Sequence, residues 1–153
     1  MFQNKVVVIT GGAAGIGKCI GEEFEKQGAH VCIMDAAEGA HYVGDVGDKA
    51  TLEDFARGVI EKFGRVDVLV NNAPPLFLGI EDCSYEQFQR SLAIGVTAPF
   101  YLSKLFAPWF AKGASIINIS SSRDRMSQPQ SESYTAAKGG IAALTHALAV
   151  SFA

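Results

Sequence analysis

The chain has 153 residues, 48% of them hydrophobic, which is the size of one domain able to bury a substantial core. Sixteen acidic against thirteen basic side chains give a formal charge of -3, and the lysines and arginines are scattered, which disfavours nucleic acid as a partner. No apolar run is long enough to cross a membrane, and the first strand starts so soon after Met1 that no room is left for a signal peptide. Cys19, Cys32 and Cys83 are far apart and form no C-x-x-C pair, so they read as buried thiols of a reducing, cytoplasmic setting. His30, His41 and His146 fall in no ligand spacing, and no metal is expected.

Val6-Val7-Val8-Ile9 is apolar at every position, as a strand covered on both faces of a parallel sheet must be. Thr10-Gly11-Gly12-Ala13-Ala14-Gly15-Ile16-Gly17 follows and leads into the helical pattern Lys18–Gln27, with Ile16, Ile20 and Phe24 as its apolar stripe. Strand, glycine turn and helix start form a phosphate-binding unit. Gly11 can take a backbone angle closed to other residues, while Gly15 and Gly17 remove side chains where a pyrophosphate and the crossing strand approach the helix. The spacing T-G-x-x-x-G-I-G departs from G-x-G-x-x-G and resembles the short-chain dehydrogenase/reductase family. That resemblance implies a Rossmann-like, doubly wound parallel sheet and a nicotinamide cofactor bound at Gly11, Gly15, Ile16 and Gly17.

A second strand, His30–Met34, ends at Asp35, eighteen residues after Gly17, near the spacing expected of a carboxylate that takes the adenosine ribose hydroxyls. Ala14 and Ala36 stand where NADP-preferring members of the family usually carry a basic residue, so the expected cofactor is NAD. Only six residues, Ala36–His41, precede the next expected strand, Tyr42–Val46, too few for the usual crossover helix. Asp45-Val46 resembles the family's adenine-contacting pair. Asp48 is placed to cap a helix over Lys49–Phe63, with Leu52, Phe55, Val59 and Phe63 inward and Gly64 as its stop. Val66–Val70 is the fourth strand, and Asn71-Asn72-Ala73 resembles the family's N-N-A-G motif beside the ribose, with Pro74 in place of its glycine. Asn71 and Ala73 are therefore expected at the cofactor.

Ser84-Tyr85-Glu86-Gln87 reads as a capping box opening a long helix to about Lys112, bent where Gly95, Pro99 and Pro108 interrupt it. Its apolar positions exceed one core stripe, and together with Ile141, Leu144 and Leu148 of the chain's last helix they lead one to expect a homodimer or homotetramer built on these helices. Ala114–Ile119 is the fifth expected strand, and a helix carrying Tyr134 and Lys138 finishes the chain. The alternation of strand and helix makes residues 1–153 one α/β dinucleotide-binding domain.

Tyr134 and Lys138 are four apart and share a helix face, and Ser121 lies thirteen residues earlier, where the family's catalytic serine stands. A free phenol releases its proton near pH 10, and a cation a few ångströms away favours the phenolate. The resemblance thus implies Tyr134 as acid/base, Ser121 as the group orienting a substrate oxygen, and Lys138 as partner of both the tyrosine and the nicotinamide ribose. The expected reaction is hydride transfer between NAD(H) and a secondary alcohol or carbonyl compound; Arg123, Arg125, Gln128 and Gln130 are expected to line the site, and their charge hints at a polar or acidic substrate. Gly95 stands where the family has a catalytic asparagine, a glycine that some members with Ser-Arg after the serine share. Its carbonyl can still hold a relay water, less well positioned; restoring asparagine is expected to leave turnover equal or higher if the relay is merely impaired, and to lower it if the bend at Gly95 needs glycine's backbone freedom. Fifteen residues follow Lys138, so the chain corresponds to the first three-fifths of the family fold, as a piece of a longer dehydrogenase or a truncated product. The rival reading is a nucleotide-binding module without turnover.

Overall fold

Apolar runs separated by glycine, proline and capping residues set the element order, which the computed structural model describes over residues Met1–Ala153. Strands β1 (Val6–Thr10), β2 (His30–Asp35), β3 (Tyr42–Val43), β4 (Val66–Asn71) and β5 (Phe110–Asn118) alternate with helices α1 (Gly15–Lys26), α2 (Lys49–Phe63), α3 (Tyr85–Leu92), α4 (Ala98–Phe106) and α5 (Glu132–Ser151). All strands are parallel and pair in the order β3-β2-β1-β4-β5, a Rossmann-like sheet. β1 and β4 are buried at every position because they lie at the centre with both faces covered. Their side chains alternate between two cores. Val6, Val8 and Leu69 pack with Leu52, Phe55 and Val59 of α2 and Leu102 and Phe106 of α4, whereas Val7, Ile9, Val68 and Val70 lie under Ile20 and Phe24 of α1. The chain leaves β1 toward β2 on one side and reaches β4 on the other, which opens a crevice beyond the strands' carboxyl ends.

Local chemistry sets several boundaries where expected. The Asp48 side chain accepts the Thr51 N–H at 2.8 Å and caps α2, which Gly64 ends at φ +63°. Ser84 and Gln87 form a reciprocal capping box on α3. Between Asp35 and Tyr42 there is no helix.

Other boundaries differ from expectation. β3 is only Tyr42–Val43, because Asp45 turns the chain out of the sheet by accepting the Gly47 N–H on its side chain and the Asp48 N–H on its carbonyl. The expected long helix is three pieces: α3, a π-helical turn over Ala93–Thr97 around Gly95, and α4, which tightens to a 3₁₀ turn at Ala107–Trp109. It stops short of Lys112 because Pro108 cannot donate within a helix, and the chain from Phe110 joins the sheet opposite Val66, with Gly113 at φ +78° beside the register shift. β5 therefore starts four residues before the expected Ala114. Ile16 does not belong to the α1 stripe; it is 65% exposed. Of the cysteines only Cys32 is buried, and burial pushes its thiol up to about 11; Cys19 is exposed. No helix is long and apolar enough to cross a membrane.

Candidate active site

A cleft of about 720 Å³ lies at the strands' carboxyl ends and is lined by Gly11, Gly15, Ile16, Asp35, Asp45, Val46, Ala73, Ser121, Tyr134 and Lys138 among others. The turn after β1 is shaped for backbone approach. Gly11 and Gly15 sit at φ +68° and +54°, angles that favour glycine, and a Cβ on Gly15 would meet nothing within 4 Å, so the turn faces open space there. Ala14, at the α1 N-cap, supplies no side-chain cap, which leaves the first-turn N–H groups for an anion. Those features fit the pyrophosphate of a dinucleotide. At the far side of the turn, the Asp35 carboxylate accepts the Ala13 N–H at 2.9 Å and the Ala37 N–H at 3.0 Å, which pins it at the end of β2. Asp45 is likewise held, by Gly47 and by the Arg90 guanidinium at 2.8 Å.

Two of the expected residues lie outside the cleft. Gly17 is buried against the turn, where a Cβ would stand 2.3 Å from the Gly11 carbonyl oxygen, so its part is close packing of helix on turn. Asn71 points along the sheet and donates to Asn118 Oδ1 at 2.8 Å. The bracing falls to Asn72, whose amide donates to the carbonyls of Gly11 at 2.7 Å and Thr10 at 3.2 Å. The Thr10 hydroxyl in turn accepts the N–H groups of Asn72 and Ala73. Sequence reasoning also missed Arg90, which lines the cleft from α3; the one signal was its place one turn before Ile94.

Tyr134 and Lys138 project from the first two turns of α5. Lys138 is 5% exposed; its Nζ donates to the Ile119 carbonyl at 2.5 Å and lies 5.5 Å from the centre of the Tyr134 ring. Burial holds this lysine below its ordinary value. Ser121 follows β5, its hydroxyl accepting the Arg123 N–H at 3.2 Å, and Ser120 reaches the Lys138 carbonyl at 3.4 Å. Arg123 is paired with Gln128, and Gln130 accepts the Glu81 N–H; contrary to expectation, none of Arg123, Arg125, Gln128 and Gln130 is among the residues lining the cleft. No group of three or more His, Cys, Asp or Glu is gathered for a metal.

A family model described as short chain dehydrogenase matches residues 5–153. The chain belongs to that family. This short-chain dehydrogenase chain is 36% identical to an uncharacterized oxidoreductase of Thermotoga maritima over 99% of its length and 66% of the relative's. It is 35% identical to the L-fucose dehydrogenase of Mus musculus, over 97% of this chain and 60% of that one. An apo SCOR enzyme from Clostridium thermocellum superposes with a TM-score of 0.90 at 44% identity, matching 97% of this chain and 67% of that chain. The ligand-free aldohexose dehydrogenase of Thermoplasma acidophilum gives 0.90 at 28% identity, over 99% and 62%. The chain thus spans about two thirds or less of the length of these relatives.

Within this dehydrogenase chain Gly95 is enclosed. A Cβ there would stand 2.7 Å from the Ala137 Cβ and 3.1 Å from Pro75, so an asparagine cannot be restored without moving α5 or the loop after β4. Pro99, one turn on, has no N–H to give to the Gly95 carbonyl.

Proposed function

We propose that the protein is an NAD-dependent oxidoreductase transferring a hydride between NAD(H) and a secondary alcohol or carbonyl substrate. The observation that carries this reading is that Ser121, Tyr134 and Lys138 line one cleft together with the glycine turn and Asp35. Gly11, Gly15 and Ile16 would hold the pyrophosphate, Asp35 the adenosine ribose, Asp45 and Val46 the adenine, and Ala73 the ribose on the β4 side. Gly17 acts behind them through packing, and Asn71 through its hydrogen bond to Asn118. When bound, the nicotinamide gives or takes the hydride. Tyr134 then exchanges the proton of the substrate oxygen, Ser121 orients that oxygen by a hydrogen bond, and Lys138 supplies positive charge beside the phenol and a donor to the nicotinamide ribose.

The preference for NAD rests on charge. Asp35 would repel a phosphate on the adenosine ribose, and Ala14 and Ala36, which line the same end of the cleft, offer it no cation. Arg90 is already held by Asp45. A cytoplasmic homodimer or homotetramer acting on a small molecule, with no nucleic acid or membrane partner, completes the proposal.

Calorimetry should give tighter binding for NADH than for NADPH, and the reverse order would sink the assignment. In the full-length protein, Tyr134→Phe should keep NADH binding while turnover on a carbonyl panel falls about 10²-fold or more, the usual scale of lost acid/base catalysis. Full activity in that variant would remove Tyr134 from the mechanism. NADH binding with no oxidation by any carbonyl of the panel would favour a nucleotide-binding module instead.

A further inference from the structure

α5 starts without a cap of its own. Ser131 occupies the N-cap position, yet its hydroxyl donates to the Gln128 carbonyl at 2.7 Å and, although 3.2 Å from the Thr135 hydroxyl, accepts no backbone N–H of the helix's first turn. The first amides of a helix have no acceptor within it. Here the Ser133 N–H donates to the Leu78 carbonyl at 3.1 Å, on the loop that joins β4 to α3. That loop is stitched to α5 by further bonds: Leu78 N–H to Ser133 Oγ at 2.9 Å, Ser133 Oγ to the Leu76 carbonyl at 2.9 Å, and Ile80 N–H to the Glu132 carboxylate at 2.9 Å. Ser91 of α3 closes the group, its hydroxyl 3.2 Å from the Leu76 carbonyl and 3.1 Å from that of Ser133. Both serines are fully buried, at 0% exposure.

Tyr134 is the next residue, and Phe77, between the two stitched leucines, lies on its ring with centroids 5.2 Å apart. Lys138 is fixed independently, by the Ile119 carbonyl just beyond β5. The amine is thus tied to the sheet and the phenol to the loop. We infer that Ser133 is a positioning residue for Tyr134, holding the first turn of α5 against Leu76–Leu78 so that the phenol keeps its place over the cleft. Deleting its hydroxyl leaves the Leu78 N–H and the Leu76 carbonyl each without that partner, and the turn frays as far as Tyr134 while Lys138 stays seated. The inference rests on the acid/base reading of Tyr134.

Ser133→Ala in the full-length enzyme should lower turnover about tenfold or more, the scale on which small misplacements of a reacting group act, with NADH affinity unchanged. Amide exchange should quicken over Glu132 to Thr135 and not over Gly139 to Thr145. Exposed Glu132→Ala should move both readouts the same way by less, and decides the matter by the same criteria should the buried variant not fold. Unchanged turnover and exchange, or a loss of NADH affinity in step with turnover, would overturn the inference. An active Tyr134→Phe would sink the acid/base reading, whereas the exchange pattern still judges the seam by itself.

Discussion

At Gly95 the space that a side chain would need is taken by the Ala137 Cβ, 2.7 Å from where a Cβ would stand, on the turn of α5 between Tyr134 and Lys138. Gly95→Ala should therefore destabilise the protein by about 1–3 kcal/mol, the cost of overpacking a closed interior, read as a lower urea midpoint. Turnover should fall as well, because the strain is delivered to the helix that carries Tyr134 and Lys138, the pair proposed for catalysis. Ala137→Gly in the same chain should recover part of both losses, and a fully stable, active Gly95→Ala would show that the loop at Pro75 yields freely. The sequence, which reads Gly95 as the family's asparagine position, gives no sign of this enclosure. The reason is distance along the chain: Pro75 and Ala137 lie on two other segments, and no spacing rule links either to Gly95. The same limit explains Asn71 and Asn72. Two adjacent asparagines at a strand end point to opposite sides of the sheet, and only the pairing of β4 with β1 and β5 decides which one meets the glycine turn.

Among the elements, β4 carries a charge into the sheet. Asp67 is 6% exposed, and it accepts bonds from the Val6 N–H, Lys5 and Arg65. Burial by itself would raise its pKa, but those donors outweigh burial and hold the carboxyl below its ordinary 3.8. The stabilisation is therefore fully present above 3.8 and is lost as the pH falls through the lower, folded-state value. Asp67→Asn keeps the shape and removes the charge, so it should cost about 1–2 kcal/mol at neutral pH, with the gap narrowing once the pH is taken below 3.8. Urea midpoints at the two pH values test this, and a gap that stays constant with pH would assign the loss to packing. Elements whose ends are written in local chemistry were legible: the apolar β1, the Asp48 and Ser84 caps, the Gly64 stop. The start of β5 was not, because Phe110 continues the apolar pattern of the preceding helix and short apolar runs suit strand and helix alike. Only pairing with Val66 distinguishes them.

For the whole molecule, the question is what covers the apolar groups that the fold leaves outside. Phe100, on the helix α4 whose inner face supplies Leu102 and Phe106 to the core, and Trp109, on the 3₁₀ turn just after it, are 47% and 41% exposed. Scattered exposed hydrophobics are ordinary on a monomer, but Phe100 on α4 and Trp109 on the 3₁₀ turn that follows are large aromatics that a symmetric partner can bury. The sheet also ends at β5, beside a hollow of about 400 Å³ lined by Phe110, Ile116, Leu148 and Phe152. A strand edge left open in that way invites pairing with any chain, so disordered aggregation has to be separated from a closed oligomer. Light scattering at micromolar concentration should give a discrete dimer or tetramer, unchanged on dilution within that range. Phe100→Glu together with Trp109→Glu should yield a monomer that still binds NADH, because both side chains lie away from the residues lining the cleft. A wild-type monomer would refute self-association through α4, and a double variant that keeps the wild-type mass would move the interface to another face.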